Sequence, residues 1–103
     1  MNLVLAFLAG AFITNSIPHI VSGIIGNKHM TPFAKESSAL VNIGWGYVNF
    51  VLGAFIFSLS ERSLVSVLSF DNYSIAFLLG SFFMAIASAF LFSNPNAKFP
   101  WFK

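Results

Sequence analysis

Asn15, Pro18 and His19 lie close together in a stretch, Leu3 to Gly26, that holds no Asp, Glu, Lys or Arg. A histidine in such surroundings could carry a proton or ligate a metal or a haem iron. An asparagine there could hydrogen-bond a polar solute. Pro18 removes one backbone donor and crowds the carbonyl of Thr14. In the next apolar stretch Asn42 and Asn49 are seven residues apart, about two helical turns, so they share a face with Trp45 at its edge. Asn15, Pro18, His19, Asn42, Trp45 and Asn49 are therefore the candidate polar site. His29, ten residues after His19, lies about 15 Å further on if read along a continuous helix. One chain then offers one intramembrane histidine, so any metal would rest on His19, and a bis-histidine haem would need His19 from two protomers.

Other chemistry is poorly represented. There is no carboxylate pair, no serine and histidine at a telling spacing, no glycine-rich phosphate loop and no metal-ligand spacing. An enzyme is the less favoured class. The 103 residues include no cysteine, which removes disulfides and thiol nucleophiles. The formal charge is +2, but Lys28, Lys35, Arg62, Lys98 and Lys103 are scattered singly between apolar blocks. Nucleic-acid binding requires basic residues gathered on one face.

The elements that must position these residues follow from composition. Charged residues make up 8% and hydrophobic residues 57% of the chain, whereas a soluble domain carries about 25% charged residues. Most of the surface must therefore face lipid. A bilayer core needs roughly 20 apolar residues per helix, and residues 3–26, 39–60 and 73–93 each supply them. The expected fold is all-α: one domain over residues 1–103, an integral membrane bundle of three transmembrane helices, with the first kinked at Pro18. Asp71-Asn72 can cap the third helix. Residues 63–70 read either as a short interfacial helix or as an extension of a neighbouring span. Ala9-Gly10-Ala11 resembles a signal-peptide cleavage site, but no Lys or Arg precedes it, and the first span reads as a retained helix.

With three spans, Lys28, Lys35, Lys98 and Lys103 fall on one side and Arg62 on the other. The positive-inside rule then places the N-terminus outside and the C-terminus in the cytoplasm. The tail, residues 94–103, sets Phe99, Trp101 and Phe102 among lysines, as an anchor at the cytoplasmic interface would.

Small and polar residues mark the faces that meet. In the first span they recur every fourth residue, Gly10, Thr14, Pro18, Ser22 and Gly26, with Asn15 and His19 alongside. In the second, Gly46 and Gly53 share the arc of the asparagines. Gly10, Thr14, Ser22, Gly26, Gly46 and Gly53 are the expected helix-packing residues, because small side chains let backbones approach and polar ones bond across the contact. In the third span Ser74, Ser81 and Ser88 repeat every seven residues and indicate packing at most.

The run Asn15-x-x-Pro18-His19-x-x-x-Gly23-x-x-Gly26, then Thr31-Pro32-Phe33, then Asn42-x-x-Trp45-Gly46-x-x-Asn49, resembles a family of small bacterial three-helix integral membrane proteins of unassigned function. The resemblance covers about the first half of the chain. It implies a helical protein of the bacterial cytoplasmic (inner) membrane and carries no activity with it.

Three readings of function follow. In the first, the protein self-associates as a homo-oligomer or serves as an accessory subunit of a larger membrane partner, using its small and polar faces. In the second, it handles a small molecule, an ion or a proton at the polar seam between the first two helices. In the third, it is a haem-bearing redox subunit built on His19 from two protomers. No cofactor is expected under the first two, and the lipid bilayer is a partner under all three.

Overall fold

The computed structural model describes residues 2–102. Three long helices, α1 (Leu3–Ile24), α2 (Ala39–Ser58) and α3 (Asn72–Ser93), are each long and apolar enough to cross a membrane. Every one starts on a side-chain cap. Asn2 accepts the N–H of Val4, Ser38 that of Val41 and Asp71 that of Ser74, satisfying donors that a helix start leaves free. α1 runs unbroken through Pro18.

Two boundaries differ from expectation. α1 ends at Ile24, and Gly26, expected as a packing residue of a span reaching 26, lies beyond it at φ 79° with open space where a Cβ would stand. That left-handed conformation suits glycine, and it turns the chain out of the helix. α2 ends at Ser58 rather than Ser60.

The all-α expectation also gains an exception. Between α1 and α2 the chain forms an antiparallel hairpin, β1 (His29–Thr31) and β2 (Ala34–Ser37), turning at Pro32-Phe33. Inside it, Thr31 and Ser37 share a buried hydroxyl pair at 2.6 Å, and the Thr31 hydroxyl accepts the N–H of Phe33 at 3.1 Å. Residues 63–70 contain a 3₁₀ helix (Leu64–Ser69) that packs on α3.

α1 is the central helix, packed against α2 on one side and α3 on the other. The seams of α1 with its neighbours are made of small and polar residues, Ala6, Ala9, Gly10, Ser16, His19 and Gly23 on α1 and Asn42, Gly46, Asn49 and Gly53 on α2, while Tyr73 and Phe77 of α3 and Val67 are large side chains buried at the end away from the hairpin. The outside carries the bulk, with Leu40, Phe55, Phe82 and Phe90 all exposed. Soluble proteins arrange these classes the other way. A hydrocarbon solvent removes the penalty on exposed apolar side chains and leaves close packing and hydrogen bonding to hold helices together. Gly80 shows how close the helices come, since a Cβ there would overlap the backbone carbonyl of Phe7. Gly46 likewise meets the backbone of Ser16 and Ile20.

Candidate functional site

The polar residues of the three helices pair in rungs. Midway along the bundle, the hydroxyls of Thr14 on α1 and Ser81 on α3 meet at 2.6 Å. Asn15 Nδ2 donates to Asn49 Oδ1 at 3.0 Å, and Asn49 Nδ2 donates to the carbonyl of Trp45, one turn back, at 2.9 Å. Nearer the hairpin, His19 Nδ1 lies 2.8 Å from Asn42 Oδ1. Asn42 is fully buried, and its Nδ2 faces the carbonyls of His29 at 2.9 Å and of Ser37 and Ser38 at 3.1 Å each. This side chain ties α1, α2 and both strands of the hairpin together.

The expected candidate residues are thus largely assembled. Asn15, His19 and Trp45 line a cavity of about 90 Å³ with Met30, Thr31, Pro32, Leu91, Phe92 and Phe99. Asn42 stands behind His19, and Asn49 behind Asn15. Pro18 lines a different, apolar groove with Thr14 and Ser88. Of the expected packing residues, Gly10 faces the backbone of α3, while Gly46 and Gly53 face that of α1. Ser22 is half-buried near the end of α1, where its carbonyl accepts the N–H of Asn27 at 2.8 Å.

His29 is the residue that the helical reading misplaces. Instead of lying a further 15 Å along a helix, it returns beside His19, with ring centroids 5.2 Å apart and an interplanar angle of 68°. The cause is the reversal at Gly26 and the hairpin that follows. Phe92 of α3 closes the group, 4.1 Å from the His29 ring and 6.0 Å from that of His19. His29 Nε2 is buried and has no hydrogen-bond partner among the described residues. Burial, and then the neighbouring His19, push the His29 pKa below its ordinary value. The sequence signal for this return was Gly26-Asn27 after the apolar run and the Pro32 turn.

The tail completes the wall. Lys35 Nζ donates to the carbonyls of Pro95, at 2.7 Å, and Ala97, and Trp101 Nε1 donates to the carbonyl of Pro32 at 2.7 Å. These bonds fold residues 94–102 over the hairpin and set Phe99 into the cavity lining. An outer cup of about 250 Å³, lined in part by Lys28, His29, Lys35 and Glu36, shares Met30, Leu91 and Phe92 with the cavity.

At the opposite end of the bundle, Arg62 and Asp71 form a salt bridge at 2.6 Å. The Ser74 backbone N–H and hydroxyl, with Arg62, hold the Asp71 carboxyl down to about 2. This cluster clasps the connection between α2 and α3.

No group of three or more His, Cys, Asp or Glu side chains that could hold a metal occurs among the described residues. Comparisons with protein-family models, curated proteins and solved structures return no match.

Proposed function

We propose that this chain is an integral membrane protein that handles a small polar solute or a proton at the hairpin end of its α1/α2 seam. The observation that carries the reading is the His19–His29 ring pair, with buried His19 lining the cavity of about 90 Å³, half-buried His29 lining the outer cup next to it, and His29 Nε2 without a hydrogen-bond partner among the described residues. Buried polar atoms are normally hydrogen-bonded, and titratable groups set in a cleft are candidates for a functional site. The setting belongs to the same proposal: a bacterial cytoplasmic membrane, the N-terminus outside, and the lysine-bearing loop and tail in the cytoplasm. A bend of α1 at Pro18 goes with it, because the Thr14 carbonyl loses its helical partner there.

Self-association has less behind it. The glycines that would have offered a second surface, Gly10, Gly46 and Gly53, are used between helices of one chain. A haem shared by two protomers has less still, since His19 is only 3% exposed and its cavity falls well below the roughly 300–1,000 Å³ of sites for larger ligands.

The test is nitrogen NMR of protein carrying ¹⁵N-histidine in lipid nanodiscs. If the two histidines form one site, His29→Gln must change the way the His19 ring signals respond to pH. Should His19 give the same response with and without His29, the pair is packing and the reading fails.

A further inference from the structure

Two hydrogen-bond chains fix the polarity of the cavity. Asn42 Nδ2 faces three carbonyls, so the amide cannot be turned round without setting its oxygen against all of them. Its Oδ1 therefore faces His19, and because a carbonyl oxygen only accepts, His19 Nδ1 must carry the hydrogen. In the neutral imidazole this leaves a lone pair on Nε2.

The second chain works in the same way. The carbonyl of Trp45 fixes Asn49 Nδ2 as donor, so Asn49 Oδ1 accepts from Asn15 Nδ2. Asn15 Oδ1 then has no hydrogen-bond partner among the described residues.

Asn15 and His19 are one turn apart on α1, and both line the cavity. No Lys, Arg, Asp or Glu lines it. The Thr31 hydroxyl is already engaged with Ser37 and Phe33, and the other polar side-chain group is the neutral indole N–H of Trp45. The remaining walls include the rings of Phe92 and Phe99. An anion would meet two lone pairs, aromatic rings and one neutral donor. A cation with several N–H groups would satisfy both acceptors and be attracted by the rings. The volume of about 90 Å³ has room for a few atoms of water size.

We infer that the cavity binds a small cation rich in N–H donors, ammonium or a primary alkylammonium such as methylammonium, held by His19 Nε2 and Asn15 Oδ1 among the rings of Trp45, Phe92 and Phe99. This rests on the proposed function and names its ligand class.

The experiment uses the full chain with ¹⁵N-histidine in nanodiscs, titrated with methylammonium chloride. Sodium chloride and tetramethylammonium chloride serve as controls at equal ionic strength. Methylammonium should shift the His19 Nε2 signal saturably, and neither control should. Asn15→Leu should weaken the apparent affinity roughly tenfold or more, as loss of one hydrogen bond to a charged group implies. Thr14→Ala, on the same helix but outside the cavity, should leave it unchanged. The wild-type series needs no variant to fold, and it overturns the inference if tetramethylammonium, which has no N–H, acts equally or if methylammonium gives no saturable shift. Failure of methylammonium while His29→Gln still alters the His19 titration removes the cation and keeps the site; silence in both removes both.

Discussion

Asn42→Leu isolates the tie that holds the hairpin on the helices. Leucine matches the branched shape of asparagine and is larger, so no cavity forms, and any overpacking adds to a cost that is mainly one of hydrogen bonds. The Ser38 carbonyl keeps the backbone N–H of residue 42 at 3.0 Å, and the carbonyl of His29, in a partly buried contact, can turn to water. His19 Nδ1 and the carbonyl of Ser37, whose bonds to Asn42 are buried, cannot. A buried group left unpaired costs about 1–3 kcal/mol, so the two together cost about 2–6 kcal/mol.

Hydrogen bonds between membrane helices average only about 0.6 kcal/mol, because the unfolded chain in lipid also finds partners. Asn42 stands one turn from the start of α2, and two of its partners are hairpin carbonyls, so the larger range applies. Against a typical total of about 5–15 kcal/mol, such a loss is easily read by equilibrium denaturation in mixed micelles, with helical circular dichroism as the signal. Nitrogen NMR supplies a second readout, since His19 should lose its fixed tautomer. Asn42→Asp should be worse than leucine, because an ionised carboxylate would face three carbonyls. A leucine variant within about 0.5 kcal/mol of wild type, with the His19 ring signals unmoved, would refute the argument.

Gly80→Ala should destabilise by about 1–3 kcal/mol, because the new methyl meets the backbone of Phe7. Gly44→Ala, with open space around it, should be neutral or stabilising by up to about 1 kcal/mol in the same denaturation assay. The lowered pKa of His29 makes the unfolded chain the stronger base. Its contribution to stability is therefore complete above the ordinary value of 6.5 and is lost as the pH falls below it. His29→Gln should flatten the stability profile over that window. For Asp71 the sign is the same and the window lower: its contribution is complete above 3.8 and is lost as the pH falls from there through about 2, so Asp71→Asn should lower stability at neutrality and remove the pH dependence in that acid window. Lys35→Ala combined with Trp101→Phe should release the tail, seen as faster amide hydrogen exchange of residues 95–101 with helix content unchanged.

The spans and the seam were legible because both rest on local rules. Twenty uncharged residues and a helical repeat of small or polar side chains needed no knowledge of distant contacts. That the asparagines of the second helix face Asn15 and His19 followed from matching those faces, whereas which pairs with which, Asn15 with Asn49 and His19 with Asn42, did not. The hairpin was not legible in the same way. Its strands, three and four residues long, are too short to show a two-residue alternation, and they hold against the bundle through Asn42, thirteen residues from His29. With the hairpin went His29, and with the tail went Phe99, whose place depends on Lys35 and Trp101 reaching across some 60 residues of sequence. The heptad of serines in α3 looked uniform, yet Ser81 bonds to Thr14 on α1 while Ser74 belongs to the Arg62–Asp71 cluster. Spacing gives the face of a residue and leaves its partner open.

What separates a packing residue from a site residue along this seam is whether its hydrogen bonds close within the chain. Thr14 and Ser81 satisfy one another at mid-bundle, and Asn49 spends both its amide donor and its oxygen on protein. Asn42 does the same with four contacts. Asn42 and Asn49 each sit one step behind the cavity and pass a fixed polarity forward. The groups at the ends of the chains, Asn15 Oδ1 and His19 Nε2, are the ones left open, and they sit where the lining is roomy enough to admit a ligand. Removing an interior link such as Asn49 should therefore do two things at once: lower stability, and free the Asn15 amide to rotate and present a donor to the cavity. A simple packing role would produce the first effect alone. Asn49→Leu, compared with Asn15→Leu for both stability and methylammonium response, distinguishes the two: equal loss of binding with a greater loss of stability in Asn49→Leu supports the relay, and undiminished binding in Asn49→Leu refutes it.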